Sequence, residues 1–153
     1  MRQTRLTLVI ACGLAASALL ATSVLALDGK AAFENRRDTM KEMGRAFYVG
    51  VGRVVKGRAE YGPDTIVAAE TVARLVPTLG GLFTPGSDVE GSKMKPAILT
   101  APDKVKQLVA ALEAATPGFV ADVKSGDKAR MSASYATMNQ ACDACHNDYR
   151  AEK

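Results

Sequence analysis

Apolar residues recur at helical spacing in four separate stretches, and this pattern restricts the possible folds more than any other feature of the 153-residue chain. The stretches begin near Ala31, Pro63, Pro102 and Lys128, and no segment alternates between apolar and polar residues as a half-buried strand would. Aromatic residues make up 5% of the chain and Trp is absent, which does not suit an aromatic-rich β-sandwich. The sequence therefore predicts an all-α fold, an antiparallel four-helix bundle.

The first predicted helix runs from Ala31 to about Lys56 and has one apolar face. That face consists of Phe33, Met40, Met43, Phe47, Val51, Val54 and Val55. Three glycines interrupt it, Gly44, Gly50 and Gly52, and each weakens a helix by about 1 kcal/mol relative to Ala. Glycines on an otherwise good helix indicate that another helix or a flat ligand approaches the backbone closely.

Proline, glycine and capping residues mark the boundaries of the other three helices. The second helix starts at Pro63 and ends at Pro77, and a long loop from Leu82 to Ala101 follows it. The third helix either kinks at Pro117 or is two separate pieces, and the sequence leaves both readings open. The stop-and-cap sequence Ser125-Gly126-Asp127 then separates the third helix from the fourth.

The first 26 residues have the features of a signal peptide rather than of a folded domain. Arg2 and Arg5 form a basic start, an uncharged run follows, and Val24-Leu25-Ala26 offers a site for signal peptidase. The run from Leu6 to Leu27 is also long enough for an uncleaved membrane anchor, but the small residues near its end favour cleavage. We therefore expect residues 27–153 to form one domain, exported to the periplasm and without stable membrane insertion.

The charge of the chain does not suggest a nucleic-acid partner. The sequence has 20 Lys and Arg against 16 Asp and Glu, and the two signs are well mixed. Without Arg2 and Arg5, 18 basic and 16 acidic residues remain, so the expected mature chain has a formal charge of +2. Lys and Arg are scattered along the sequence, so no docking patch can be named from it.

Cys142-Asp143-Ala144-Cys145-His146 is the one motif that points to specific chemistry, because Cys-x-x-Cys-His is the attachment site of c-type haem. On a helix, residues three and four apart share a face. Cys142 and Cys145 can therefore reach two vinyl groups on one edge of a porphyrin, and the imidazole of His146 can turn under the ring to bind iron. The motif predicts one covalently attached haem c, with Cys142 and Cys145 as thioethers and His146 as the proximal iron ligand.

Three other uses of these residues fit the sequence less well. A disulfide between Cys142 and Cys145 would close a very small loop and would give His146 no role. A thioredoxin-like Cys-x-x-Cys requires a βαβ context, which the helical pattern lacks. A zinc site needs about four protein ligands, whereas His146 is the only His and Cys12 lies within the expected signal peptide.

Further residues around the motif resemble the class II c-type cytochromes, the cytochrome c′ and cytochrome c556 proteins. The haem motif continues into Asn147-Asp148-Tyr149-Arg150, as it does in this family. The segment from Arg36 to Met40 resembles the family's Arg-x-x-x-(Met/Leu) sequence, and Leu82-Phe83-Thr84-Pro85-Gly86-Ser87 resembles its Phe-Pro-x-Gly-Ser loop, with Thr84 inserted. The resemblance covers essentially the whole of the expected mature chain.

The resemblance gives Met40 the deciding role, because the equivalent residue faces the distal side of the haem. A Met there implies a low-spin iron with His146 and Met40 as ligands, which suits electron transfer. A Leu there, as in cytochrome c′, implies a five-coordinate high-spin iron that binds small gases such as NO or CO. Met43 lies one turn further along and is a competing ligand, and either Met could serve only as core packing.

The resemblance also assigns two arginines, Arg36 and Arg150, to the surroundings of the haem. Arg36 would bind a haem propionate through a charge-assisted hydrogen bond, whereas Arg37 would lie on a solvated face. Arg150 would lie beside the axial imidazole, although the sequence alone equally allows it to be a base at a helix C-terminus. Tyr149 would pack against the edge of the ring.

The resulting functional hypothesis is a periplasmic monohaem electron carrier with His/Met ligation, which is not an enzyme. Its partners would be redox proteins, and a homodimer through the first two helices is possible. The first alternative is a high-spin cytochrome c′ that binds NO or CO. The second is a haem-free thiol–disulfide protein that uses Cys142 and Cys145.

Overall fold

The first helical rod contains three consecutive stretches rather than the single α-helix predicted. In the computed structural model, which describes residues 28–152, α1 spans Gly29–Gly44, a π-helix spans Arg45–Val51 and α2 spans Gly52–Val55. The predicted signal peptide and Cys12 lie outside the described residues. Asp28 caps the rod, because its carboxylate accepts a hydrogen bond from the Ala31 amide at 2.8 Å.

Two of the glycines flagged in this rod lie where other helices come close. A Cβ atom on Gly50 would lie 2.4 Å from the Cβ of Ala68 in the second rod. A Cβ atom on Gly52 would lie 2.6 Å from the hydroxyl oxygen of Tyr135 in the last helix. The prediction of a close approach is therefore confirmed at Gly50 and Gly52, and the π-helix lies directly at this contact.

The second rod begins at Pro63, as predicted, and changes from an α-helix to a 3₁₀ helix at Val76. The α-helix α3 spans Pro63–Leu75, and a 3₁₀ helix continues from Val76 to Leu82. The change of helix type occurs beside Pro77, because a proline has no N–H to continue the α-helical hydrogen bonds. The loop then runs from Phe83 to Lys95, and a short 3₁₀ helix, Pro96–Thr100, follows it.

The third helix, α4, is a single α-helix over Pro102–Ser125 with Pro117 inside it, so the two-piece alternative is wrong. It ends at Gly126, whose φ of 68° lies in the left-handed region that glycine adopts readily. The fourth helix, α5, spans Lys128–Tyr149. The carboxylate of Asp127 caps α5 by accepting hydrogen bonds from the amides of Ala129 and Arg130 at 2.9 and 3.0 Å.

The rods close into a bundle around one apolar core. The first rod packs on α3 and α5, α3 packs on α4, and α4 packs on α5. Phe47 lies at the centre, where its ring stacks on Tyr135 with centroids 4.4 Å apart and lies 5.7 Å from the ring of Phe119. The all-α, four-helix prediction is confirmed. Within residues 28–152, no helix combines the length and the apolar character needed to cross a membrane.

Candidate haem site

The three residues of the Cys-x-x-Cys-His motif lie in the last two turns of α5 and line one cavity together. Cys142, Cys145 and His146 are each half-buried, and both cysteines are free thiols. Their spacing of three and four residues puts them on one face of α5, as the sequence predicts. The proximal half of the site is therefore built by a single helix.

The cavity that these residues line has a volume of about 500 Å³, within the usual range for ligand and cofactor sites. A smaller space of about 60 Å³ extends it toward α4. The two spaces have seven lining residues in common: Met40, Met43, Phe47, Phe83, Cys142, Cys145 and His146. The inner wall is apolar, with Val72, Val76, Leu79, Leu108, Val109, Leu112 and Met138 completing it.

The wall from the first rod carries two methionines, and both line both parts of the cavity. Met40 and Met43 are half-buried residues of α1, one turn apart. Met40, which the resemblance selects as the distal ligand, thus lines the same cavity as His146, and so does its competitor Met43. The assignment of Met40 to the iron stays a prediction.

Burial controls the charge of the motif. It raises the pKa of the Cys142 thiol to about 11, helped by the neighbouring Asp143 carboxylate and Cys145. Burial, and then Asp148, raises the pKa of Cys145. Burial, and then the positive charge of Arg150, lowers the pKa of His146. At neutral pH the motif consequently presents two neutral thiols and a neutral imidazole, the form of His that binds iron.

Arg36 is buried, with 7% of its surface exposed, and its guanidinium group holds the loop that covers the cavity. One terminal nitrogen donates to the carbonyl of Leu82 at 3.2 Å and to the Ser87 hydroxyl at 2.5 Å. The other donates to the carbonyl of Ser87 at 2.7 Å and to the Ser92 hydroxyl at 3.0 Å. Burial lowers the pKa of Arg36, and the nearby Asp88 carboxylate opposes this effect.

These contacts bear on the predicted bond between Arg36 and a haem propionate. Arg36 lines the cavity, but the loop accepts from both terminal nitrogens, each of which carries two N–H groups. Only the Nε–H remains for a propionate while the loop contacts hold. The role of Arg36 at the propionate stays a prediction, and its contacts with the loop were not foreseen from the sequence.

Backbone hydrogen bonds hold the other end of this loop to the end of α5. Met94 and Arg150 form an isolated antiparallel β-bridge. The Lys95 amide donates to the carbonyl of Tyr149 at 2.9 Å, and the Ala151 amide donates to the carbonyl of Lys93 at 2.8 Å. The loop is therefore tied to α1 by a side chain and to the chain just after His146 by its backbone.

The remaining predicted residues lie at the mouth of the larger cavity. Arg150 is exposed and Tyr149 is half-buried, and both line the mouth together with Arg37, for which the sequence predicts a solvated face. Arg37 is indeed exposed, and it also forms an ion pair with Asp38 at 3.0 Å. The sequence predicts no site role for several lining residues: Phe47, Tyr48, Phe83, Lys41, Lys93 and Met94.

Most of these residues could not be predicted because they come from segments far from the motif in sequence. Phe83 carried a signal within the resemblance, and Phe47 belongs to the apolar face of the first helix. Tyr48 is 41% exposed and beside Cys142, and its pKa is raised to about 12, chiefly by burial. Lys93 and Met94 had no signal, since a polar loop gives no period from which to infer its contacts.

The donor set fits haem c better than the other uses of the motif. Two thiols and one imidazole converge on an apolar cavity, whereas cations line its mouth, which matches a flat apolar macrocycle with two carboxylates. Within residues 28–152, no group of three or more His, Cys, Asp or Glu is arranged to hold a metal ion directly. A βαβ unit, which a thioredoxin-like site requires, does not occur among the described elements.

Comparisons with known proteins support the same assignment. The family model described as cytochrome C′ matches residues 31–150. Cytochrome c-556 of Agrobacterium tumefaciens is 31% identical over 121 residues, which cover 78% of this chain and 97% of that protein. The solved structure of a ferrous cytochrome c′ variant from Alcaligenes xylosoxidans with bound NO is 25% identical, with a TM-score of 0.73, and covers 84% of this chain and 99% of that chain.

A second solved structure from the same organism, a cytochrome c′ variant with bound carbon monoxide, gives a TM-score of 0.72 at 25% identity. It covers 82% of this chain and 98% of that chain. Proteins of this family carry covalently attached haem c, so the cofactor predicted from the motif is confirmed. The match of nearly all described residues confirms the resemblance as well: the chain belongs to the cytochrome c′ family.

Proposed function

We propose that the protein is a monohaem cytochrome that binds a diatomic gas, NO or CO, on the distal face of its haem. The observation that carries this proposal is the likeness over almost the full chain to cytochrome c′ structures that hold NO or CO. The comparisons thus favour the gas-binding alternative over the His/Met electron carrier. The same likeness supports a periplasmic location and a binding rather than an enzymatic role.

The residues suited to hold the haem belong to α5, α1 and the loop. The thiols of Cys142 and Cys145 would form the thioether bonds, and His146 would be the proximal ligand of the iron. When bound, the haem supplies an iron atom that changes between the ferric and ferrous states and can bind a gas. The apolar wall formed by Phe47, Phe83 and their neighbours would exclude water from the bound haem.

A second candidate function has an observation of its own, the position of Met40. The thioether side chain of Met40 lines the cavity that His146 also lines, and a Met ligand would fill the site that a gas needs. The cytochrome c-556 relative, which matches over nearly its whole length, bears the name that the Met40 prediction implies. This candidate is a low-spin electron carrier with His146 and Met40 as ligands.

Absorption spectra of the purified holoprotein distinguish the two candidates. A gas-binding protein gives a broad ferrous band that changes when CO or NO is added. A His/Met protein gives sharp, split ferrous bands that CO leaves unchanged, and the variant Met40→Leu converts them to the broad, CO-sensitive form. Met43→Leu is the matched control, because Met43 lines the same cavity one turn away.

Each outcome of these spectra is decisive for one proposal. CO-insensitive split bands in the wild type contradict gas binding. Identical spectra for the wild type and Met40→Leu remove Met40 from the iron, and the same change in Met43→Leu alone would assign the ligand to Met43. A colourless, correctly processed protein contradicts both candidate functions.

A further inference from the structure

The chain contains four tyrosines and no tryptophan, which narrows the places where a one-electron oxidation can settle on an aromatic ring. Phenol and indole rings give up an electron far more readily than the phenyl ring of Phe. A haem in the cavity supplies one-electron chemistry, so an oxidising equivalent that starts there can pass to a nearby ring. The candidates are Tyr48, Tyr61, Tyr135 and Tyr149, and their positions relative to the cavity and to solvent distinguish them.

Tyr48 and Tyr61 are almost equally exposed, at 41% and 40%, but they lie in different parts of the bundle. Tyr48 lines the larger cavity, and its ring meets the ring of Phe47 edge-on, with centroids 5.0 Å apart. The hydroxyl of Tyr61 donates to the carbonyl of Val123, near the end of α4, at 2.9 Å. Cys142 lies 14 residues after the start of α5 at position 128, which is about 20 Å along the helix axis. Equal exposure therefore goes with very different distances from the haem motif.

Tyr48 lies beside the haem motif and is also open to water. Burial raises the pKa of Tyr48 to about 12, and the nearby Cys142 and Asp143 add to this effect. The phenol is therefore protonated at neutral pH, and it must release a proton when it loses an electron. Because 41% of Tyr48 is exposed, water can accept that proton. An electron can thus leave this ring without creating a buried charge.

The other two tyrosines each lack one of these properties. Tyr135 stacks on Phe47, but among the described residues its buried hydroxyl has no hydrogen-bond partner that could take up a proton. Tyr149 lines the mouth of the cavity but is half-buried, so it is less open to a second molecule than Tyr48. Tyr48 is the tyrosine that combines a place in the cavity wall with an exposed ring.

We propose that Tyr48 is the oxidation site of this protein under hydrogen peroxide, and that it couples there with Tyr48 of a second copy of the chain. One peroxide gains two electrons and two protons as its O–O bond breaks, which yields two molecules of water. Two Tyr48 side chains each lose one electron and one proton, and a carbon–carbon bond then joins the two rings as dityrosine. The proposal rests on the proposed function, because peroxide needs an iron with an open distal site.

Two methionines of the cavity compete with Tyr48 for the oxidant. Met40 and Met43 are half-buried and line both parts of the cavity. A thioether takes up an oxygen atom and becomes a sulfoxide, whereas a phenol loses one electron and couples to another ring. The two kinds of product differ in mass, so peptide mapping distinguishes oxidation of the cavity wall from oxidation of Tyr48.

The test treats haem-loaded ferric protein, whose absorbance is verified first, with a small excess of hydrogen peroxide. Peroxide alone does not couple tyrosines, so the reaction requires the iron. A denaturing gel measures the covalent dimer, fluorescence detects dityrosine, and mass spectrometry of the digested dimer identifies the joined residues. We expect a dimer in which Tyr48 is joined to Tyr48.

Tyr48→Phe and Tyr61→Phe form a matched pair, because each removes one hydroxyl group from a ring of nearly the same exposure. We expect Tyr48→Phe to abolish the dimer and Tyr61→Phe to leave its yield unchanged. Phe keeps the ring at position 48, so the edge contact with Phe47 and the cavity wall remain. The variant Tyr149→Phe tests the other tyrosine at the cavity and should also leave the yield unchanged.

Three results would overturn the assignment of Tyr48. One is an undiminished dimer in Tyr48→Phe, or a dimer joined through Tyr61, because exposure alone would then select the residue. Another is a dimer joined through Tyr149. The third is peroxide treatment that gives methionine sulfoxides, or no modified residue at all, without a tyrosine product. A preparation without haem absorbance, or with split ferrous bands that CO leaves unchanged, contradicts the proposed function instead.

Discussion

The proximal half of the cavity comes from one short segment, whereas the distal half combines segments that are far apart in the sequence. Cys142, Cys145 and His146 lie within five consecutive positions of one helix. The distal side and the mouth combine α1, the loop from 83 to 95 and the end of α5, with Arg36 contacting residues 46 to 56 positions away. A short motif thus indicates the cofactor, whereas contacts between distant segments build the distal side and the mouth of the cavity.

The largest expected effect comes from replacing the two cysteines of the proximal half. In Cys142→Ser/Cys145→Ser, we expect complete loss of covalently bound haem, because hydroxyl groups cannot form the thioether bonds. The measurement is haem absorbance retained by the denatured chain on a gel. Cys12→Ser is the control, and it should retain full absorbance because Cys12 lies in the predicted signal peptide. Covalent haem in the double variant would contradict the assignment of the two cysteines.

The next largest effect tests the contacts between α1 and the loop in the distal half. Arg36→Met leaves the loop carbonyls and hydroxyls without their donor, and we expect the free energy of unfolding to fall by about 3 kcal/mol. Urea denaturation of the holoprotein measures this change. Arg37→Met is the matched neighbour, exposed and in a surface ion pair with Asp38, and should change stability by less than about 0.5 kcal/mol. Equal effects of the two variants would show that Arg36 does not hold the loop.

These two residues also show how far the sequence could predict the site. Arg36 and Arg37 are identical and adjacent, and nothing in their sequence separates a buried loop contact from an exposed ion pair. The resemblance directed attention to Arg36 but to a haem propionate rather than to the loop. The contacts of Arg36 depend on where residues 82–92 lie, and a loop rich in Gly and Pro has no periodicity that would reveal this.

The helices themselves were largely predictable, because proline, glycine or a capping carboxylate marks their boundaries and each has an apolar face. Pro63, Pro102, Gly126 and Asp127 mark boundaries that the structure retains. The π-helix at Arg45–Val51 was not predictable, since it lies where Gly50 meets Ala68 of another rod. The glycines signalled a close approach, but not the change in winding beside it.

A smaller effect tests that close approach directly. Gly50→Ala places a methyl group against the Cβ of Ala68, and we expect a loss of about 1–3 kcal/mol in the free energy of unfolding. The control Gly118→Ala lies in α4, where a Cβ atom meets nothing within 4 Å. It should gain about 0.5–1 kcal/mol, as expected for Ala in place of Gly within a helix. A gain in both variants would contradict the tight contact.

The smallest expected effect concerns the far end of α5. Asp127→Ala removes the carboxylate that caps the helix, and we expect a loss of about 1 kcal/mol without a change in the haem spectrum. Urea denaturation and absorbance measured on the same sample separate stability from the site. An altered spectrum would mean that the proximal half depends on more than the last turns of α5.

The central claim is that haem c is bound covalently through Cys142 and Cys145. Intact-mass spectrometry of the exported, denatured protein tests it most directly, followed by mapping of the modified peptide. We expect the mass of the mature chain plus one haem, located on the peptide that contains both cysteines. A mass equal to that of the unmodified chain, or a haem on any other peptide, would contradict it.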